Sequence, residues 1–145
     1  MREKLFFYIA DTAYIDYLRN EEESKRGFSR VPKLNYAPNQ KRKFFCGVVL
    51  NVNDFDYFVP VSSYKKQERD NFLIYNQNGQ VLSSLRFNYM VPISFSVLSL
   101  LDIKNEPDQL YKSLLEEEYQ YCNQHKEDIL RLARRTYKRV LLGKD

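Results

Sequence analysis

The chain has 145 residues, 43% of them apolar and 15% aromatic, enough to bury a core and too hydrophobic for a disordered chain. A net charge of +4 and a pI near 9.0 suit an anionic partner without requiring one. No apolar run approaches a membrane span, and the basic start is followed only by Leu5–Ala10 before Asp11, which is too short for a secretory leader. A soluble, cytoplasmic protein of one domain over residues 1–145 is expected. The two cysteines, Cys46 and Cys122, belong to no Cys/His cluster, so they are expected as buried free thiols rather than zinc ligands.

In chain order, Leu5–Ile9 predicts a first strand. Asp11 can then cap a helix carrying Tyr14, Ile15, Tyr17 and Leu18 and ending in Glu21–Glu23. From there to Arg42 no hydrophobic period is visible; the stretch holds Lys25, Arg26, Arg30, Lys33, Lys41 and Arg42. It is equally compatible with a solvated loop and an anion-binding one. Lys43–Leu50 is almost continuously apolar, which suits a strand covered on both faces. Asn51–Asp54 supplies turn chemistry, and Asp56–Val61 returns as a second strand, with Pro60 near its end. A loop starting Ser62-Ser63-Tyr64-Lys65-Lys66 follows.

Phe72–Tyr75 predicts another strand and Asn78-Gly79 a turn. Val81–Phe87 is compatible with a strand or one helical turn. Asn88–Ile93 and Phe95–Leu101 both predict strands, Pro92 placing the former at an edge or bend. Two helices close the chain, the first with Asn105 as N-cap, Pro107 in its first turn and Asp108 at N3. Leu110, Tyr111, Leu114, Leu115, Tyr121 and Cys122 form its apolar arc. The second sets Ile129, Leu132, Ala133, Tyr137 and Val140 on one face, opposite Arg131, Arg134, Arg135, Lys138 and Arg139. The class is α+β, a mostly antiparallel sheet with packed helices.

The available chemistry is narrow. A single histidine, His125, excludes a His/His acid–base pair within one chain, and a Ser-His-Asp triad would depend on it alone. Four scattered glycines form no phosphate-binding loop, and the carboxylates lack metal-ligand spacing, so neither cofactor nor metal is expected. What remains is a hydroxyl-and-lysine site. If the hairpin turn is short, antiparallel pairing brings Lys43 near Val61 and Ser62, where Ser62, Ser63, Lys65 and Lys66 emerge. Such a pocket suits a phosphate. RNA carries its own nucleophile, the 2′-hydroxyl, so a protein needs only to align it, stabilise the oxyanion and protonate the leaving oxygen. A plain polar loop would carry the same string.

Several strings, in order, resemble the endoribonuclease toxins of type III toxin–antitoxin systems, the ToxN/AbiQ/CptN family, and its CptN-like members in particular. They are Phe7-Tyr8 with Tyr14–Leu18, Lys43–Leu50, Val59–Lys66, Asn88–Ile93, Ser99–Asp102 and Tyr111-Lys112. The resemblance implies an SH3-like, barrel-like sheet related to the MazF/Kid toxins. It implies metal-independent cleavage of single-stranded RNA, cellular or phage mRNA, to 2′,3′-cyclic phosphate and 5′-hydroxyl ends. It also implies inhibition by a repeated RNA pseudoknot in a closed assembly of several protein and RNA copies, with no membrane. Carried over by position, Ser63 is the foremost catalytic hydroxyl with Ser62 beside it, Lys43 and Lys65 act on phosphate and leaving oxygen, and Tyr14 lines the site. Lys66, Arg42, Lys41, Lys33, Arg30, Asn88, Arg131, Arg135 and Lys138 are the expected RNA contacts. Tyr64 stands where some members have Pro, and Ser62 where some have Thr. A non-catalytic RNA-binding module and a toxin neutralised by a protein are the competing readings.

Overall fold

The computed structural model describes residues 4–26 and 43–141; Arg30, Lys33, Lys41 and Arg42 lie outside them. Among the described residues the order is β1 (Phe6–Ala10), α1 (Thr12–Arg26), β2 (Phe45–Val52), β3 (Phe55–Ser62), β4 (Asn71–Tyr75), β5 (Val81–Arg86), β6 (Val91–Pro92), β7 (Leu98–Leu100), α2 (Gln109–Gln124) and α3 (Lys126–Leu141). Seven strands form one antiparallel sheet in the order β4-β5-β3-β2-β1-β7, with β6 added alongside β3. The sheet is open, β4 and β7 being its ends, so it does not close into a barrel.

The continuous apolar run of β2 is explained by cover on both sides. Phe44, Cys46 and Val49 join a core with Val59, Val61, Ile74, Leu85, Leu115, Ile129 and Ala133, the side where α2 and α3 pack. Phe45 belongs to a second cluster with Ala10, Phe58, Val91 and Ile93, against which Tyr14 of α1 rests. Adjacent residues point to opposite faces of a strand, so a run without polar gaps is what such a position needs. Asn53 and Asp54 make the turn with φ of 52° and 68°. That is the pair of positive values a two-residue hairpin turn demands, and the turn is tighter than Asn51–Asp54.

Gly47 is fixed by packing. A Cβ there would lie 2.3 Å from Cδ2 of the Phe58 ring, which stands opposite it in the ladder. Just beyond, the pairing shifts between Gly47 and Leu50, a bulge that pins the register on either side.

Asp11 caps α1 as the pattern predicts, its Oδ1 accepting from the amides of Ala13 (2.9 Å) and Tyr14 (3.3 Å). Val81–Arg86 resolves as a strand. Three expectations are corrected. Residues 88–93 and 95–101 each begin with a 3₁₀ turn, Phe87–Tyr89 and Phe95–Val97, leaving only the short β6 and β7 as strand. Ser94 caps the second turn, and Pro92, lacking a ladder donor, keeps β6 to two residues at an edge. The N-cap of α2 is Asp108, whose Oδ1 accepts from Leu110 and Tyr111 at 3.1 Å each; Asn105 instead bonds Asp102. Leu110 and Val140, expected on apolar faces, are 87% and 50% exposed, each in the terminal turn of its helix, where a side chain has neighbours on fewer sides.

Periodicity also missed Glu118, buried on α2 between Leu115 and Cys122. Its Oε2 accepts from Ser83 Oγ of β5 at 2.5 Å. Burial pushes its carboxyl up to about 7, against a smaller lowering by the Ser83 hydrogen bond. Cys46 and Cys122 are both buried and free; the Cys122 thiol is raised first by its hydrogen bond with Cys46, then by burial.

Two outcomes follow from this packing. Gly47→Ala lowers the urea midpoint by the equivalent of about 1–3 kcal/mol, as overpacking does, and adding Phe58→Leu restores part of it. Because the folded-state pKa of Glu118 is raised above its unfolded value, its favourable share is complete at pH 4 and is lost as pH rises through 7. Wild-type stability therefore falls by about 3 kcal/mol from this group between pH 4 and pH 8. Glu118→Gln removes that slope and is the more stable protein at pH 8, as denaturation at the two pH values will show.

Candidate functional site

The ladder between β2 and β3 runs Phe45↔Pro60, Cys46↔Val59, Gly47↔Phe58. The amide of Val61 also donates to the carbonyl of Phe44 at 3.0 Å, carrying the register one pair before β2 begins. Lys43 is therefore the next residue, opposite Ser62, where neighbouring Cα atoms stand about 4.5–5.5 Å apart. Alternation gives Lys43 the face of Phe45, and Ser62 the face of Pro60. That is also the face on which Tyr14, half-buried, packs beside Phe45. The sheet thus brings Lys43, Ser62 and Tyr14 to one side, at the point where Ser63, Lys65 and Lys66 leave β3. Lys43, Ser63, Lys65 and Lys66 are exposed and Ser62 is half-buried.

The loop after Ser62 is fastened along its length. Ser62 Oγ accepts from the amide of Tyr64 at 3.1 Å. Ser84, beside Ser62 in the β3–β5 pairing, donates its Oγ proton to the Tyr64 carbonyl at 2.7 Å. The Tyr64 hydroxyl donates to Glu68 Oε2 at 3.0 Å, and that bond, followed by desolvation, raises the phenol above its ordinary value. The Arg86 guanidinium lies 4.6 Å from the Tyr64 ring centroid and 4.8 Å from that of Tyr89, a cation–π pairing.

The far end is tied by side chains that sequence reasoning did not single out. Asn71, buried, donates Nδ2 to the Lys66 carbonyl at 2.7 Å and accepts from the Glu68 amide at 2.8 Å. Asp70 is buried and paired with Arg139 of α3, and its carbonyl accepts from the Phe87 amide at 2.8 Å. Arg139, expected on the outer face of α3, turns inward instead, since the carboxylate it neutralises is buried. Arg135 Nη2 donates to the Arg69 carbonyl at 3.2 Å. No local string announces the two contacts from α3, because Arg135 and Arg139 lie 66 residues or more from their partners.

The remaining candidates are scattered. Asn88 sits half-buried in the 3₁₀ turn after Arg86. Arg131 bonds Asp128 at 2.9 Å within its own helix, and Lys138 is exposed on α3. Of the three candidates on α3, Arg131, Arg135 and Lys138, Arg135 is the one hydrogen-bonded to the loop. His125 stacks on Tyr121 at 4.1 Å between ring centroids, with Nδ1 3.7 Å from Asp128. Among the described residues, no three His, Cys, Asp or Glu side chains gather closely enough to hold a metal ion, and no helix is long and apolar enough to cross a membrane.

Known proteins offer a comparison for the whole chain. Residues 6–145 match the profile of a family described as toxin ToxN of the type III toxin–antitoxin system. The chain is similar to endoribonuclease ToxN of Pectobacterium atrosepticum, at 27% identity over 95% of this chain and 82% of that protein. It is also similar to endoribonuclease ToxN of Bacillus thuringiensis subsp. kurstaki, at 26% identity over 92% and 68%. A stretch of 66 residues is 39% identical to endoribonuclease AbiQ of Lactococcus lactis subsp. lactis, covering 46% of this chain and 31% of AbiQ. Among solved structures, one concerns a bacterial antiviral system regulated by a processed non-coding RNA, with TM-score 0.85, 26% identity, and 97% and 88% of the two chains covered. Another concerns a type III system with selective toxin inhibition by a non-coding RNA pseudoknot, with TM-score 0.82, 25% identity, and 95% and 80% covered.

The fastening of the loop has a direct test. Asn71→Leu strips the partner from the Glu68 amide and the Lys66 carbonyl, and is expected to cost about 2 kcal/mol in stability. Amide exchange at residues 64–68 should accelerate before global unfolding does; protection unchanged there would show that Asn71 does not hold the loop.

Proposed function

The chain belongs to the ToxN family of type III toxin–antitoxin toxins, and from that premise we propose that it is an endoribonuclease toxin held in check by an RNA. Its substrate is single-stranded RNA, cellular or phage mRNA, and its antitoxin is a repeated RNA pseudoknot that fills grooves between protomers in a closed assembly. Cleavage proceeds by attack of the 2′-oxygen on the adjacent phosphorus. The P–O5′ bond breaks, the 2′-hydroxyl proton is lost and O5′ gains one, leaving a 2′,3′-cyclic phosphate and a 5′-hydroxyl with no water consumed.

In this reading Ser63, with Ser62 beside it, holds the scissile phosphate. Lys43 and Lys65 neutralise the charge that builds on the phosphoryl oxygens and on the leaving oxygen, and Tyr14 forms a wall that orients a base or phosphate. The observation that supports it most is the Phe44–Val61 backbone bond. Through it the register sets Lys43 against the strand end from which the serines and Lys65 emerge. Exposed lysines are ordinarily mobile, and a fastened loop lowers the entropy of gathering them around one phosphate. Arg135, hydrogen-bonded to the Arg69 carbonyl, is the α3 cation held at the loop itself and meets a phosphate that passes there.

The test is cleavage of a long RNA by purified protein in EDTA, with 5′-hydroxyl and cyclic-phosphate ends mapped. Ser63→Ala and Lys65→Ala should each slow cleavage at least about 100-fold with the circular dichroism spectrum unchanged. Wild-type rates in both variants would refute the site, and intact RNA with wild-type protein would favour a module that binds without cutting.

A further inference from the structure

An open groove of about 500 Å³ lies away from the serine and lysine loop, lined by Phe6, Tyr8 and Phe95 and by Lys4, Lys126 and Arg134. None of its lining residues bears a carboxylate. Phe6 and Phe95 are 37% and 49% exposed, unusual for phenylalanines that nonetheless belong to an ordered aromatic array. Phe95 meets Tyr8 and Phe58 edge-on at 5.7 and 5.6 Å, and Tyr8 meets Phe58 at 5.4 Å. The rings are therefore held in place from beneath, and Phe95 still presents about half its surface to solvent.

The cations come from two directions. Lys4 precedes β1, while Lys126 and Arg134 frame Leu130 on one stripe of α3 at successive fourth positions. Neither Lys126 nor Arg134 has a carboxylate partner among the described residues. The floor includes Gly47 and Val48 of β2, the strand that begins just after Lys43. From Lys43 to Gly47 along an extended strand is about 13 Å. Tyr8 packs in the same cluster as Phe45 and Tyr14, so groove and loop open on the same side of the sheet.

Rigid exposed rings interleaved with unpaired cations suit one ligand chemistry above others: a single-stranded nucleic acid, whose bases stack while its phosphates meet the charges. We propose that this groove is a second contact site for single-stranded RNA, which takes the nucleotides flanking the scissile phosphate by stacking on Phe95 and Phe6 and pairing with Lys4, Lys126 and Arg134. The inference rests on the RNA-cleaving reading for its ligand class, but not on the roles given to Ser63 or Lys65. Recognition here is by stacking and charge, so it tolerates base sequence and rewards length.

Binding is measured by fluorescence anisotropy with a labelled 2′-O-methyl oligonucleotide of about twelve residues, a length one such site can engage. The methyl group blocks 2′-attack, so binding is read without cleavage. Phe95→Leu keeps the apolar packing and removes the ring; Arg134→Glu reverses an exposed charge with little demand on the fold. Each should weaken binding roughly tenfold, and Arg134→Glu should also lower the slope of log Kd against log salt by about 0.7. Both variants binding within twofold of wild type would overturn the groove, as would a wild-type protein that does not bind the oligonucleotide. Wild-type protein that binds through the groove yet cuts no RNA would instead overturn the cleavage reading and leave the groove standing.

Discussion

The architecture depends on a strand that has no free face. β2 is clamped between the helix-covered core and the cluster under Tyr14, so sliding it by one residue against β3 would exchange Phe45 with Cys46 and empty both sides at once. The Gly47–Phe58 contact and the bulge after it remove the remaining freedom. Lys43, though exposed and hydrated, inherits this rigidity through the backbone, because the Phe44–Val61 bond continues the same register to the residue beside it. A charge that must be placed and cannot be buried is thus positioned by apolar residues next door.

The loop that follows β3 is held by the opposite strategy, buried polar groups. Asn71 satisfies two loop backbone groups, Ser84 a third, and Asp70 is neutralised by Arg139. A buried ion pair seldom adds much net stability, because desolvation of both partners offsets their attraction. Its effect here is on geometry, since breaking it strands a charge and few alternative loop conformations keep it paired. The loop and the C-terminal helix are consequently one mechanical unit: Arg135 and Arg139, one turn apart on α3, grip residues 69 and 70.

What could be read from the sequence divides along the same line. Apolar runs and turn chemistry disclosed the β2–β3 hairpin, the Asp11 cap and the Asn78-Gly79 turn, because each depends on neighbours within a few residues. Asn88–Ile93 and Phe95–Leu101 read as full strands in the sequence, since Val, Ile and Leu there satisfy burial while the backbone departs into 3₁₀ turns at Phe87 and Phe95. The Asn105 cap failed for a related reason: two residues that can cap, Asn105 and Asp108, stand within four positions, and Asp108 fits while Asn105 is committed to Asp102. Lys43, Ser62, Ser63 and Lys65 could be nominated together because strand pairing is inferable from a short turn. Asn71, Asp70 and Arg139 could not, as a polar residue destined for burial looks in a string like one destined for solvent.

The basic face of α3 shows most clearly why net charge is a poor guide to where anions bind. As a helical pattern, Arg131, Arg134, Arg135, Lys138 and Arg139 form one stripe. In three dimensions Arg139 is spent on Asp70, Arg131 is paired with Asp128, and Arg135 holds a carbonyl of the loop. Arg134 points with Lys126 into the aromatic groove. Successive residues on a helix are turned by about 100°, so Arg134 and Arg135, adjacent in the chain, reach different features, the groove and the loop. A modest excess of positive charge can therefore be divided between two separate regions, a fastened loop and an aromatic groove, when carboxylates such as Asp70 and Asp128 pair with the other cations.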